Sequence, residues 1–244
     1  MRFISILSLL LAVVILFSNI AIAQPKLTIP EAEFDFGYVP QNAQISHIFW
    51  LFSTGTDSLK VINIRPGCGC TKAPLEKQEI AVGDSTRLEV IFKTQTYRGR
   101  QTKRPSITTN EGPDTKNVKI SADVITNPDS TYPVTIYPYK FDISQFGEAV
   151  RKLLEFEIAN VSDKDLDIQL IDMPYNMFKL KMPKRIKAGS REKGKIELMD
   201  EYLSEEFEKS ITIQVSDETS SRFTIPIKRV IRIPGSDLSK KDGK

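Results

Sequence analysis

Gln44-Ile45-Ser46-His47-Ile48-Phe49-Trp50-Leu51-Phe52-Ser53 is the clearest strand in the chain. Side chains alternate across a strand, so Ile45, His47, Phe49 and Leu51 share one face and Ser46, Ile48, Trp50 and Phe52 the other. Both faces are largely apolar. That predicts a central strand whose outer face is partly covered. Turn residues bound it on either side, Pro40-Gln41-Asn42-Ala43 before and Thr54-Gly55-Thr56-Asp57 after.

The neighbouring segments repeat the motif at short intervals. Leu27-Thr28-Ile29 reads as a short edge strand, and Phe34 to Val39 as a strand bent at Gly37. Leu59 to Ile64 runs into Arg65-Pro66-Gly67-Cys68-Gly69-Cys70-Thr71 and stops. Thr86, Leu88, Val90 and Phe92 alternate cleanly. Thr94 to Arg104 reads as a basic connection, Pro105 to Thr109 as a strand, and Val118, Ile120, Ala122 and Val124 as the last alternating strand. Short strands with frequent turns predict an all-β immunoglobulin-like sandwich. No stretch has the long 3.6-residue period of an amphipathic helix.

The second half repeats the first. Phe34-Asp35-Phe36 matches Phe141-Asp142-Ile143, and Phe49, Leu59 and Val61 match Phe156, Leu166 and Ile168, all 107 residues on. Val90 and Phe92 match Ile196 and Leu198 at 106, and Val118, Ile120 and Ala122 match Phe223, Ile225 and Ile227 at 105. Matches in chain order predict two tandem copies of one fold. The cysteines fall opposite Tyr175 and Met177. Asp200 to Glu208 replaces the basic connection with an acidic segment that reads as a helical turn.

The ends have different compositions. Arg2, the apolar run Phe3 to Phe17 and Ala21-Ile22-Ala23 resemble a cleaved signal peptide, and the run is short for a membrane span. The organisation expected is a signal peptide at 1–23, a first domain at 24–127 carrying the Cys-Gly-Cys loop, a linker at 128–133, a second domain at 134–234 and a disordered tail at 235–244. An exported, periplasmic or envelope-associated protein follows. The net charge of +3 is not gathered into a long block, which argues against nucleic acid as a partner.

Cys68 and Cys70 are the only cysteines. A bridge between them closes three residues, and loop entropy then contributes only about 1.5 kcal/mol. Three readings stay open: small side chains fitting a tight corner, a thiol redox pair, or a soft-metal site of the kind that takes Cu(I). Zinc would need more ligands than the single His47 adds. A lone histidine on an apolar strand face is more often packed or hydrogen-bonded. Arg98, Arg100, Lys103 and Arg104 form a basic run that is either a solvated loop or a contact for an anionic surface, whether lipid or glycan. Trp50 and Tyr97 are candidates for a partner surface. No nucleophile elbow, phosphate loop or zinc-protease motif occurs, so no enzyme activity and no obligatory cofactor is expected.

Phe34-x-Phe36-Gly37, His47-x-Phe49-x-Leu51, Ser53-Thr54-Gly55, Leu59-x-Val61, Gly67-Cys68-Gly69-Cys70-Thr71 and Val82-Gly83-Asp84 together resemble the bacterial Domain of Unknown Function 1573 family. The resemblance covers about residues 30–125. Gly67 stands where that family has Ser, and Ser53 where it has Asn. The resemblance implies export and an immunoglobulin-like module akin to the ASH and major-sperm-protein class. It implies no activity. The function expected is a non-catalytic envelope protein that binds or scaffolds another protein, with thiol redox or Cu(I) binding at Cys68 and Cys70 as the alternative.

Overall fold

The computed structural model describes residues 23–232. The expected signal peptide, but for Ala23, and the expected tail lie outside the described residues. Within them the chain is all-β, and its only helices are single 3-10 turns at Pro128–Ser130 and Asp200–Tyr202.

The first half folds as two facing layers. One sheet runs in the order Leu27–Thr28, Gln44–Ser53, Ser85–Lys93, Thr71–Lys72. Gln44–Ser53 is internal to it, as its two apolar faces predict, and Leu27–Thr28 lies at its edge. A second sheet orders Lys116–Asn117, Ser106–Thr109, Leu59–Arg65 and Glu79–Ile80. Glu33–Pro40 and Lys119–Ile125 pair in parallel, and the register slips where Phe36-Gly37 inserts an extra residue. Gly37 has a φ of 63°, and a Cβ there would collide with the Arg222 backbone. This is the bend that glycine signals in the sequence.

The second half reproduces these pairings. Phe49 faces Leu88 as Phe156 faces Gly194, and Leu59 faces Ile80 as Leu166 faces Ile186. The last strand corrects the sequence alignment. Phe34 pairs with Ile120, and Phe141 pairs with Ile227. The offset there is therefore again 107, not 105. A two-residue error keeps every side chain on its own face, which is why hydropathy could not detect it.

A second correction concerns the basic connection. Gly99–Lys103 is a strand, paired antiparallel with Lys119–Ile125. Its side chains are exposed or half-buried throughout, so it carries no apolar alternation.

Each half has its own buried cluster, one built from Leu27 to Val124 and the other from Val134 to Ile227. The halves also meet. Tyr38 pairs with Phe223, so one sheet runs through both. Tyr38 and Ile125 pack on the second core, and Ile171 packs on the first. Polar contacts cross the seam as well. The Thr224 hydroxyl donates to Phe36 O at 2.6 Å, the Tyr139 hydroxyl to Tyr38 O at 3.0 Å, and Lys209 pairs with Glu89 at 2.7 Å.

Candidate functional site

The Cys corner begins where Leu59–Arg65 ends. Pro66 stops the ladder, and Gly67 turns the chain with a φ of 88°, a left-handed conformation that favours glycine. Cys68 and Cys70 are bonded to each other, with Cα atoms 5.3 Å apart. Cys70 is buried in the first core, and Cys68 packs partly against it. The corner is fastened by backbone. The Thr71 N–H donates to Cys68 O at 3.2 Å and the Lys93 N–H to Cys70 O at 2.9 Å. Thr71 Oγ1 lies 3.2 Å from Cys68 Sγ.

The second half builds the same corner without the bridge. Thr71 faces Phe92 as Phe178 faces Leu198. The Met199 N–H donates to Met177 O at 3.0 Å, as Lys93 does to Cys70. Cys70 and Met177 are each 5% exposed. The position is a core position in both halves, filled by a sulfur-bearing side chain each time.

The basic residues do not form one open patch. Arg100 reaches Asp35 Oδ2 and Asp123 Oδ2, each at 2.6 Å, and Ser121 Oγ at 2.9 Å. The hydrogen bonds it donates to Asp35 and Asp123 hold its pKa above the ordinary guanidinium value. Lys103 Nζ sits 4.8 Å from the Tyr97 ring centre and 5.3 Å from that of Phe92. Arg98 and Arg104 remain exposed, with no ion pair among the described residues. Of the four basic residues expected to meet an anionic surface, Arg100 is thus ion-paired and Lys103 lies over aromatic rings. Tyr97 is half-buried under Lys103 and stacked on Phe92. It does not offer an open face.

Trp50 does, at 49% exposure. It lines a groove of about 880 Å³ between the outer face of Gln44–Ser53 and the second half's Met173-Pro174-Tyr175 loop. Ile48, Phe52, Met173 and Tyr175 make it mainly apolar. His47 and Asp172 join across it, Nδ1 to Oδ2 at 2.7 Å. His47 also stacks on Phe34 with ring centres 3.7 Å apart. The histidine is packed and hydrogen-bonded, as its strand face suggests. Its partner lies 125 residues away, and nothing local in the sequence points to it. Among the described residues no group of three or more His, Cys, Asp or Glu is placed to hold a metal ion.

With this geometry in hand, comparison with known proteins adds a family. Residues 27–124 match the family described as "Protein of unknown function (DUF1573)". Over this segment, which is under half of the chain, the protein is similar to DUF1573 domains. The match agrees with the motifs from Phe34 to Asp84. No curated protein matches the chain. Among solved structures, a protein of unknown function from Porphyromonas gingivalis W83 is 14% identical, with 83% of this chain and 98% of that chain covered and a TM-score of 0.35. The ASH/PapD-like domain 7 of human CEP192 is 11% identical over 42% of this chain and 87% of its own, TM-score 0.35. WR4, a C. elegans MSP family member, is 14% identical over 41% and 99%, TM-score 0.31. At these identities the likeness concerns fold alone.

Proposed function

We propose that the chain is a non-catalytic, exported protein of the bacterial cell envelope that binds or scaffolds another protein. The observation that carries this reading is the apolar groove beside Trp50. A large aromatic side chain left half-exposed, next to Phe52, Met173 and Tyr175, leaves apolar surface that the described residues do not bury. Such a patch is the ordinary mark of a contact surface. The signal-like segment at 1–23 supports export, and export supports an oxidised Cys68–Cys70 pair.

A second reading has one observation in its favour. The bridge closes only three residues, and Cys68 stays partly accessible at the corner. A dithiol could attack it and take the pair through two-electron reduction, leaving Cys68 and Cys70 as thiols. Cu(I) binding at the pair would require that reduction first. Against this stands the equivalence of Cys70 with Met177, which gives the position a packing role.

The test compares wild type with Cys68→Ser/Cys70→Ser, using the mature chain cross-linked in an envelope extract. Undiminished partner capture by the variant supports binding away from the cysteines. Loss of capture by a variant that still folds cooperatively, or retention of Cu(I) after reduction, supports the thiol reading.

A further inference from the structure

The groove beside Trp50 contains an unfinished sheet edge. In Ser85–Lys93 the N–H groups of Glu89 and Lys93 donate away, to Pro74 O and Cys70 O. Even-numbered residues of that strand therefore face Gln44–Ser53, where they meet Ile45, His47, Phe49 and Leu51. The even-numbered residues of Gln44–Ser53 must then turn N–H and C=O to the opposite edge. Two contacts agree: the Ser46 N–H donates to Ser210 Oγ at 3.1 Å, and the Thr54 N–H donates to Lys26 O at 2.9 Å.

Among the described residues both ends of this edge are covered and the middle is not. Ser210 caps it at Ser46, and Thr28 pairs with Phe52. The next partner in line, opposite Trp50, would be Pro30. Proline has no N–H to give, and the edge strand ends at Thr28. Ile48 and Trp50 thus present two N–H and two C=O groups to the groove.

We propose that this gap takes one strand of a partner: an extended peptide that pairs with Ile48 and Trp50 and continues the line begun by Leu27–Thr28. The proposal deepens the binding reading above and rests on it. Alternate side chains of the added strand would lie beside Trp50 and Phe52, with Met173 and Tyr175 as the opposite wall, and would be apolar. Charge selects the flank. Arg87 is neutralised by Glu76 at 2.9 Å, and Asp172 is held by His47. Glu31 on the groove rim is exposed and has no ion pair among the described residues. The peptide therefore carries a Lys or Arg where it passes Glu31.

The probe is a displayed library of random nonapeptides, selected on the mature chain. Enriched peptides should alternate apolar residues and carry a base at one end. Trp50 is the only tryptophan, so binding should shift the intrinsic emission to the blue. Amide exchange at Ile48 and Trp50 should slow. N-methylation of the peptide amides that face the edge should weaken binding about tenfold or more, and methylation of the alternate amides should not. Glu31→Gln should weaken binding of the base-ended peptides and flatten its salt dependence. Absence of any enriched peptide, or binding indifferent to methylation with exchange at Ile48 and Trp50 unchanged, would overturn the proposal. A partner captured from envelope extract without protection of those amides would also remove the edge site, while leaving the binding reading standing. Peptides bound at the edge with no envelope partner captured would keep the site and remove the envelope role.

Discussion

Replacing both cysteines by alanine tests whether the corner is a brace. Opening a three-residue loop forfeits about 1.5 kcal/mol of denatured-state restriction. Cys70 is 5% exposed within the first core, so trimming its sulfur removes a group of roughly methylene size, about 0.8 kcal/mol before any cavity cost. Cys68→Ala/Cys70→Ala should therefore lose about 2.5 kcal/mol. For a chain of this length with coupled halves, that lowers Tm by about 5–10 °C. Cys68→Ala alone should lose mainly the loop term, and Cys68→Ala/Cys70→Met should recover part of the packing, since Met177 fills the equivalent place. Urea denaturation of the three variants, beside wild type with and without reductant, separates the contributions. A double variant within about 0.5 kcal/mol of wild type would refute the reasoning.

Further substitutions probe the surrounding frame. Arg229 is 1% exposed and donates to Ile143 O, Arg151 O, Leu203 O and Gln145 Oε1, so Arg229→Leu should cost about 3–5 kcal/mol by stranding those acceptors; a small shift in urea midpoint would contradict this. Asp172→Ala should remove about 1–2 kcal/mol, read by calorimetry; an unshifted transition would show that the His47 contact adds nothing to the seam. Gly37→Ala should cost at least about 1–3 kcal/mol, because a positive φ and the Arg222 backbone both oppose a Cβ; thermal melting reads it. The Ala188 N–H, with help from Arg185, holds the Asp165 pKa below the ordinary carboxylate value. Its contribution is present above a pH of about 4 and lost as pH falls through the depressed folded value, so Asp165→Asn should flatten the acid limb of stability against pH.

The sandwich was legible because burial on one side of a strand writes itself into alternate residues. Ile45, Phe49 and Leu51 carry that mark, as do Leu88, Val90 and Phe92. Gly99–Lys103 carries none, because an edge strand with polar side chains on both faces looks like a loop. The corner at Gly67 was legible from Pro66, Gly67 and the two small thiols. Its meaning as a core position was not: the repeat sets Cys70 opposite Met177, but only the packed structure shows both buried. The groove was invisible for a different reason. Its two walls come from residues more than 100 positions apart, and hydropathy along a chain has no access to contacts at that range.

The shared place of Cys70 and Met177 means that the two halves meet peroxide on different terms. Bonded to Cys68, the first sulfur has already surrendered the electrons that a mild oxidant would take from a thiol. The second is a thioether shielded by packing, and its sulfoxide would set a polar, bulkier group among Phe178, Leu198 and their neighbours. Chemical ageing of the chain should begin in the half that lacks cysteine.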